Sequence, residues 1–247
     1  MTDCETSWET LFQRETFSFH DYLISQNEIQ ALTKALSQNT CLKELSLIFN
    51  QVGDVGAQAL AQALTQNTSL KILTLWDNQI GDQGAQALAQ ALTQTTCLKV
   101  LSLSYNLIKD KGAQALAEAL TRKTSLKTLD LSCNQIGDEG AQALAFALSQ
   151  NTCINRLFLN DNLIGLRGLQ ALAKALTQNT SLNILSLSFN MFGQRVTQPL
   201  TRALRKNYDV EGIYSSFNTK QMERFCHRNK KANAKRIQFQ IFFLVKK

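Results

Sequence analysis

Apolar residues recur along this chain at fixed phases, one block every 28 residues. Leu42, Leu70, Leu98, Leu126, Ile154, Leu182 and Val210 share the first phase. Leu45, Leu73, Leu101, Leu129, Leu157, Leu185 and Ile213 share the second, and Leu47, Leu75, Leu103, Leu131, Leu159 and Leu187 the third, with Ser215 breaking that series. Asn50, Asn78, Asn106, Asn134, Asn162, Asn190 and Asn218 close each block. Alternation within Leu-x-Leu predicts a short strand that buries one face and presents the intervening residues on the other. The Asn that follows is expected to turn inward, where its amide satisfies backbone groups of neighbouring turns.

After each turn the period changes. GDVGAQALAQALTQNT, GDQGAQALAQALTQTT and GDEGAQALAFALSQNT read as helices, with Ala57, Leu60, Ala61 and Leu64 on one buried face and Gln58, Gln62 and Gln66 toward water. Asp54, Asp82, Asp110 and Asp138 are expected to cap the helix in which each stands. A strand–helix unit of this size cannot bury its apolar face alone, so the units must stack. Helices are wider than strands, so the stack curves with strands inside and helices outside.

The pattern weakens at the ends. The first unit, FSFHDYLISQNEIQALTKAL, keeps Phe17, Phe19 and Ile24 in phase but has Tyr22 at the Asn position, and reads as an N-terminal cap. Leu166 replaces the Asp of its unit, Val196 replaces a Gly, and Pro199 predicts a helix that starts late or bends. The strand VEGIYSSFN is degenerate, and Met222, Phe225 and Cys226 are expected on the apolar side of a closing cap. The final IQFQIFFLVKK, residues 237–247, reads as one more strand; a basic aromatic membrane-surface element and a disordered or address-like tail are the alternatives. The expected divisions are therefore 1–41, cap and first degenerate repeat; 42–209, six 28-residue repeats; and 210–247, degenerate repeat with a basic cap or tail.

Units such as NTSLKILTLWDNQIGDQGAQALAQALTQ resemble the ribonuclease-inhibitor-type leucine-rich repeats. They are similar to those of the Ran GTPase-activating protein, of NOD-like receptors and of leucine-rich-repeat effectors of intracellular bacteria. The resemblance covers roughly Phe17 to Asn218 and implies an α/β leucine-rich-repeat solenoid, a horseshoe with parallel strands concave and helices convex. It specifies fold and not partner.

Charge changes the picture little. The formal net charge is +7, but Arg202 to Lys247 carries twelve Lys/Arg against three Asp/Glu, a net +9 that leaves −2 for the rest. Basicity thus belongs to the C-terminal segment, and no nucleic-acid-tracking face is expected on the repeats. Cys41, Cys97 and Cys153 lie two repeats apart, about 10 Å at the strand spacing, beyond disulfide reach. They are expected to be small buried thiols of a reducing, cytoplasmic compartment, as are no disulfides from Cys4, Cys133 or Cys226. The acidic, polar N-terminus does not read as a signal peptide, and the longest apolar cluster is too short to span a membrane.

Candidate chemistry lies between the leucines. Phe49, Trp76, Tyr105, Phe158, Phe189 and Phe217 recur on a floor of small hydroxyls, and exposed aromatics are what protein-binding hot spots use. The expected partner-binding residues of the concave face are Trp76, Asp77, Tyr105, Asp130, Arg156, Phe158 and Phe49, with Trp76 the foremost. His20 and His227 show no adjacent nucleophile or ligand-spaced carboxylate, and no phosphate loop, CxxC or HExxH occurs. The sequence therefore reads as a protein–protein interaction module with no catalytic residues, metal or cofactor. Its near-identical, Gln-rich repeats resemble bacterial effectors acting in a host cell. A GTPase regulator and a membrane-docked adaptor, the latter through its tail, are the alternatives.

Overall fold

A computed structural model describes residues 14–21, 23–122, 124–191 and the strand at 212–214. Eight strands occur there: β1 (Thr16–His20), β2 (Glu44–Ile48), β3 (Ile72–Thr74), β4 (Val100–Ser102), β5 (Thr128–Asp130), β6 (Arg156–Phe158), β7 (Ile184–Ser186) and β8 (Gly212–Tyr214). They form one parallel sheet in chain order. Between them run helices α1 (Gln26–Gln38), α2 (Gly53–Gln66), α3 (Asp82–Leu92), α4 (Asp110–Thr121), α5 (Asp138–Gln150) and α6 (Leu166–Leu176). Register follows the period: Leu45 pairs with Leu73, then Leu101, Leu129, Leu157 and Leu185. All six are fully buried. The degenerate strand joins the sheet in the same register, Ile213 opposite Leu185. The fold is an α/β solenoid of strand–helix units, strands concave and helices convex.

The helices close the core as their spacing demands. Ala57, Leu60, Ala61 and Leu64 are buried on α2, and the same positions are buried on α3, α4 and α5. Small alanines at the contact let each helix approach its neighbours and the sheet. β1 and α1 make the first unit a full strand–helix unit, with β1 paired to β2 and α1 started by a capping box of Ser25 and Glu28.

Inward asparagines tie adjacent turns together. Asn106 Oδ1 accepts from the N–H of Asn78 (3.1 Å) and Ile80 (2.9 Å), while its Nδ2 donates to the carbonyls of Leu75, Leu103 and Ser104. Asn134, Asn162 and Asn190 repeat the pattern. At the upstream end of the ladder, Asn50 Oδ1 is buried with no partner among the described residues. A second set was not legible from the leucine pattern: Asn67, Asn151 and Asn179, at the helix ends, donate to the carbonyls of Leu36, Leu120 and Leu148 of the preceding helix. These would otherwise be orphaned C-terminal acceptors.

The expectation that each Asp caps its own helix is wrong. Asp54 Oδ1 accepts from the N–H of Gly81 (2.7 Å) and Gly84 (2.8 Å), both at the start of the next helix, α3. Asp82 does the same for Lys109 and Gly112, Asp110 for Gly137 and Gly140, and Asp138 for Gly165 and Gly168. The reason is position. Asp82, Asp110 and Asp138 are the first residues of their helices, too far along to reach back to their own N–H groups, whereas the next helix start lies alongside. Leu166 therefore leaves α6 capped, because Asp138 supplies it.

The same contact explains the glycines. A Cβ at Gly112 would lie 2.7 Å from Asp82 Oδ1 and 2.8 Å from Ile108 Cγ2, and Gly84, Gly140 and Gly168 are equally tight. Acid and glycine are thus a pair thirty residues apart, and Leu166 and Val196 depart from it together. Val196, Pro199, Phe217, Met222, Phe225, Cys226 and residues 237–247 lie outside the described residues.

The expected burial of the thiols also needs correction. Cys41 is exposed and Cys97 and Cys153 are half-buried, all free. They sit at the rim after the helix, where Ser69 and Ser181 donate to carbonyls of the preceding repeat and Cys97 reaches Asn67 O at 3.5 Å.

Candidate functional site

Three in-register rows cross the strand face. Glu44, Ile72, Val100, Thr128, Arg156 and Ile184 form the first, and Ser46, Thr74, Ser102, Asp130, Phe158 and Ser186 the second. Ile48, Trp76, Ser104, Ser132, Asn160 and Ser188 follow at the strand ends. Most are half-buried, with Ser104 and Ser186 fully so. Ser132, Asn160, Ser186 and Ser188 are joined through the Asn160 amide.

Immediately beyond the strands lies a fourth row: Asp21, Phe49, Asp77, Tyr105, Cys133, Asp161 and Phe189. Every one has a left-handed backbone, φ between 51° and 58°. The conformation costs an L-residue with a Cβ on the order of 1 kcal/mol, least for Asp or Asn. It is held by N–H groups that continue the ladder, Phe49 to Trp76 O (3.1 Å), Asp77 to Ser104 O (3.1 Å) and Tyr105 to Ser132 O (3.0 Å). A shared backbone conformation sends these side chains out of the turn in one direction.

Three of the candidate residues meet there. The Phe49 and Trp76 rings contact edge to face, centroids 4.5 Å apart at 79°, and Trp76 and Tyr105 do so at 4.8 Å and 66°. Phe49 remains 41% and Tyr105 50% exposed, so the cluster has a free outer surface. Edge-to-face pairs of this kind add about 0.5–1.5 kcal/mol beyond area burial. Asp77 sits between Phe49 and Tyr105 in the row. Asp130 and Phe158 are register partners on β5 and β6, and Arg156 projects from the same face of β6 as Phe158. No ion pair joins Arg156 to Asp130; among the described residues the only ion pair is Arg122 with Glu118 on the outer surface.

The row continues through polar contacts. Cys133 Sγ donates to Asp161 Oδ2 at 3.7 Å, and the Tyr105 hydroxyl is among the groups that influence it. Burial pushes the Cys133 thiol up from its ordinary pKa, and Asp161 and Asp130 add to this, against a lowering by the Tyr105 hydroxyl. Tyr105 is itself raised, first by its bond to Cys133 and further by Asp161 and Asp77. Cys133 is therefore a protonated thiol inside an acidic neighbourhood.

One histidine is better placed than its sequence context indicates. His20 Nε2 lies 2.6 Å from Ser18 Oγ and 3.5 Å from Ser46 Oγ, because period-two alternation brings residues 18 and 20 to one face. All of this is on the exposed β1 edge, and among the described residues no hydrogen bond links His20 to a carboxylate. No group of three or more His, Cys, Asp or Glu among the described residues could hold a metal ion. No described helix is long and apolar enough to cross a membrane.

At the other end of the strands, Lys43, Lys71, Lys99 and Lys127 occupy adjacent repeats. Their backbones are locked in register, Lys71 N–H to Lys43 O, Lys99 to Lys71 and Lys127 to Lys99, at 2.7–2.8 Å. The near-neutral charge of the repeat body conceals this segregation. The row was visible at the 28-residue period, but reading only the apolar phases passes over it.

The Leucine Rich repeat family pattern matches residues 38–61, 66–89, 94–117 and 122–145, at the same 28-residue step as the strands and helices. Residues 38–145 are thus a run of leucine-rich repeats. No curated protein matches it significantly. Among solved leucine-rich-repeat folds, the tropomodulin C-terminal domain of Caenorhabditis elegans is similar at 20% identity with a TM-score of 0.52, over 62% of this chain and 93% of that one. A structure titled Leiomodin-1 Actin-Binding Site 2 aligns at 18% identity with a TM-score of 0.32, over 94% of this chain and 99% of that one. The likeness to tropomodulin is one of fold.

Proposed function

We propose that this leucine-rich-repeat protein is a non-catalytic binding module that takes a partner protein on its strand face. Trp76 and Tyr105 are the anchors, and Phe49, Asp77, Asp130, Arg156 and Phe158 surround them. The observation that carries the reading is the half-exposed chain of edge-to-face rings Phe49–Trp76–Tyr105. Aromatic residues that are already ordered bury much area on binding at little entropic cost. Phe49 and Tyr105 moreover occupy left-handed positions that Asp or Asn would fill with less strain. Backbone preference therefore does not account for their identity, which supports a role for the rings themselves.

The test is the double variant Trp76→Ala, Tyr105→Ala. Its circular dichroism should match that of the parent, with the unfolding midpoint lowered only by the loss of the two ring pairs, while capture of partner proteins from lysate collapses. Undiminished capture overturns the reading. Two finer readings rest on sequence character: the unit is of the ribonuclease-inhibitor type, and the near-identical Gln-rich repeats suit an effector delivered into a host cytoplasm. Absence of host-cell delivery of a reporter fusion would remove the latter.

A further inference from the structure

The left-handed row alternates in character along its first four members: Asp21, Phe49, Asp77, Tyr105, followed by Cys133, Asp161 and Phe189. None of its carboxylates has a Lys or Arg within ion-pair distance among the described residues. Glu44 and Asp130 add negative charge to the face, and Arg156, three rows away near the opposite end of β6, is the one cation among its described residues. Tyr105, raised first by Cys133, is pushed further up by Asp161 and Asp77, and Cys133, raised first by burial, is pushed further up by Asp161 and Asp130. Rings and carboxylates side by side attract the same ligand group, a cation, through the ring faces and the charges together.

Spacing narrows the ligand. Asp77 and Asp161 are three strands apart, about 14 Å at the usual strand separation, and two residues four apart in an extended chain are separated by about 13 Å on one side. Between those carboxylates lie the Tyr105 ring and the Tyr105–Cys133–Asp161 contacts, with Trp76 behind. The lysine row at the opposite rim sets polarity. Lys71 lies six residues from Asp77 along its strand, roughly 20 Å and well beyond the ~8 Å screening length, so the two rims do not neutralise each other. A basic segment is repelled at one rim and attracted at the other.

We infer that the left-handed row seats an extended basic segment of a partner protein, one Lys or Arg lying on the Trp76 and Tyr105 rings beside Asp77 and a second, four residues along, at Asp161. This rests on the partner-binding reading and specifies the chemistry recognised. The probe is a nine-residue Gly/Ser peptide with Lys at its third and seventh positions. Comparison peptides carry Lys at the third and fifth positions, or Glu at the third and seventh. The full chain is used with Trp8→Phe, which makes Trp76 the sole indole, and Trp76 emission is followed during titration.

The expected result is a saturable change with the four-spaced lysine peptide, weaker binding of the two-spaced one, and none with glutamate. Asp77→Asn plus Asp161→Asn should weaken binding about tenfold or more and flatten its salt dependence. Equal affinity for the glutamate or two-spaced peptide, indifference to the double substitution, or no saturable change overturns the inference. If lysate capture depends on Trp76 and Tyr105 while the lysine peptide fails, the binding-module reading stands and the basic-segment inference alone falls.

Discussion

Asp110 Oδ1 accepts hydrogen bonds at 2.8 Å from Gly140, thirty residues ahead, and from Gly137 beside it. The acid at the start of one helix is thus the cap of the next, and from α3 to α6 each repeat depends on its predecessor for its helix start. In a solenoid, where stability is close to a sum of units and nearest-neighbour interfaces, this puts a polar term into the interface itself.

Asp110→Ala should therefore destabilise the chain by about 1 kcal/mol, a typical value for a lost cap. The location of the damage is the sharper check. Hydrogen exchange should quicken at Gly137 and Gly140, at the start of α5, and stay unchanged through α4, which contains the substitution. Faster exchange confined to α4 would contradict the assignment.

Gly140→Ala brings a Cβ to 2.8 Å from Asp110 Oδ1 and Ile136 Cγ2 and 2.9 Å from Ala113 Cβ. Overpacking of this kind costs about 1–3 kcal/mol. Combining it with Asp110→Ala relieves only the first contact, so the double variant should be less destabilised than the sum of the singles, a coupling readable from urea midpoints at constant slope.

Asn106→Ala removes two acceptor and three donor contacts in one buried turn. It leaves the Ile80 N–H and Leu75 carbonyl without their partner, and the loss should be on the order of 3 kcal/mol. Gln142→Ala, exposed on α5, should change stability by less than about 0.5 kcal/mol in the same assay.

Cys133 should alkylate slowly at pH 8, since a thiol held above its ordinary pKa presents little thiolate. Asp161→Asn removes a raising influence and should speed modification; Tyr105→Phe removes the lowering influence of the hydroxyl and should slow it further. Peptide mapping by mass spectrometry separates this site from the exposed Cys41. Opposite signs in the two variants would refute the electrostatic account.

Phe189→Asn places a residue tolerant of left-handed backbone where φ is 57° and the ring is 53% exposed. The chain should gain roughly 0.5–1 kcal/mol by relief of that strain. A fall in thermal midpoint would show that the ring contributes packing that outweighs the backbone cost.

Much of this molecule follows from its sequence for one physical reason. Leu-x-Leu alternation at a 28-residue period leaves a single register in which every leucine is buried, so strand order, the buried helix face and the outward residues are determined together. What only the tertiary structure decided is which neighbour each polar group addresses. Asp54 stands in the first turn of its own helix, yet its carboxylate belongs to the helix at Gly81 and Gly84. Trp76 does not share the repeat phase of Phe49 and Tyr105, yet the rings touch, because the left-handed turn carries residues 49 and 105 back over the strand end where Trp76 stands. Periodicity specifies burial, which is a property of one residue and its face; hydrogen-bond partners and ring contacts are properties of pairs, and they exist only once adjacent repeats lie side by side.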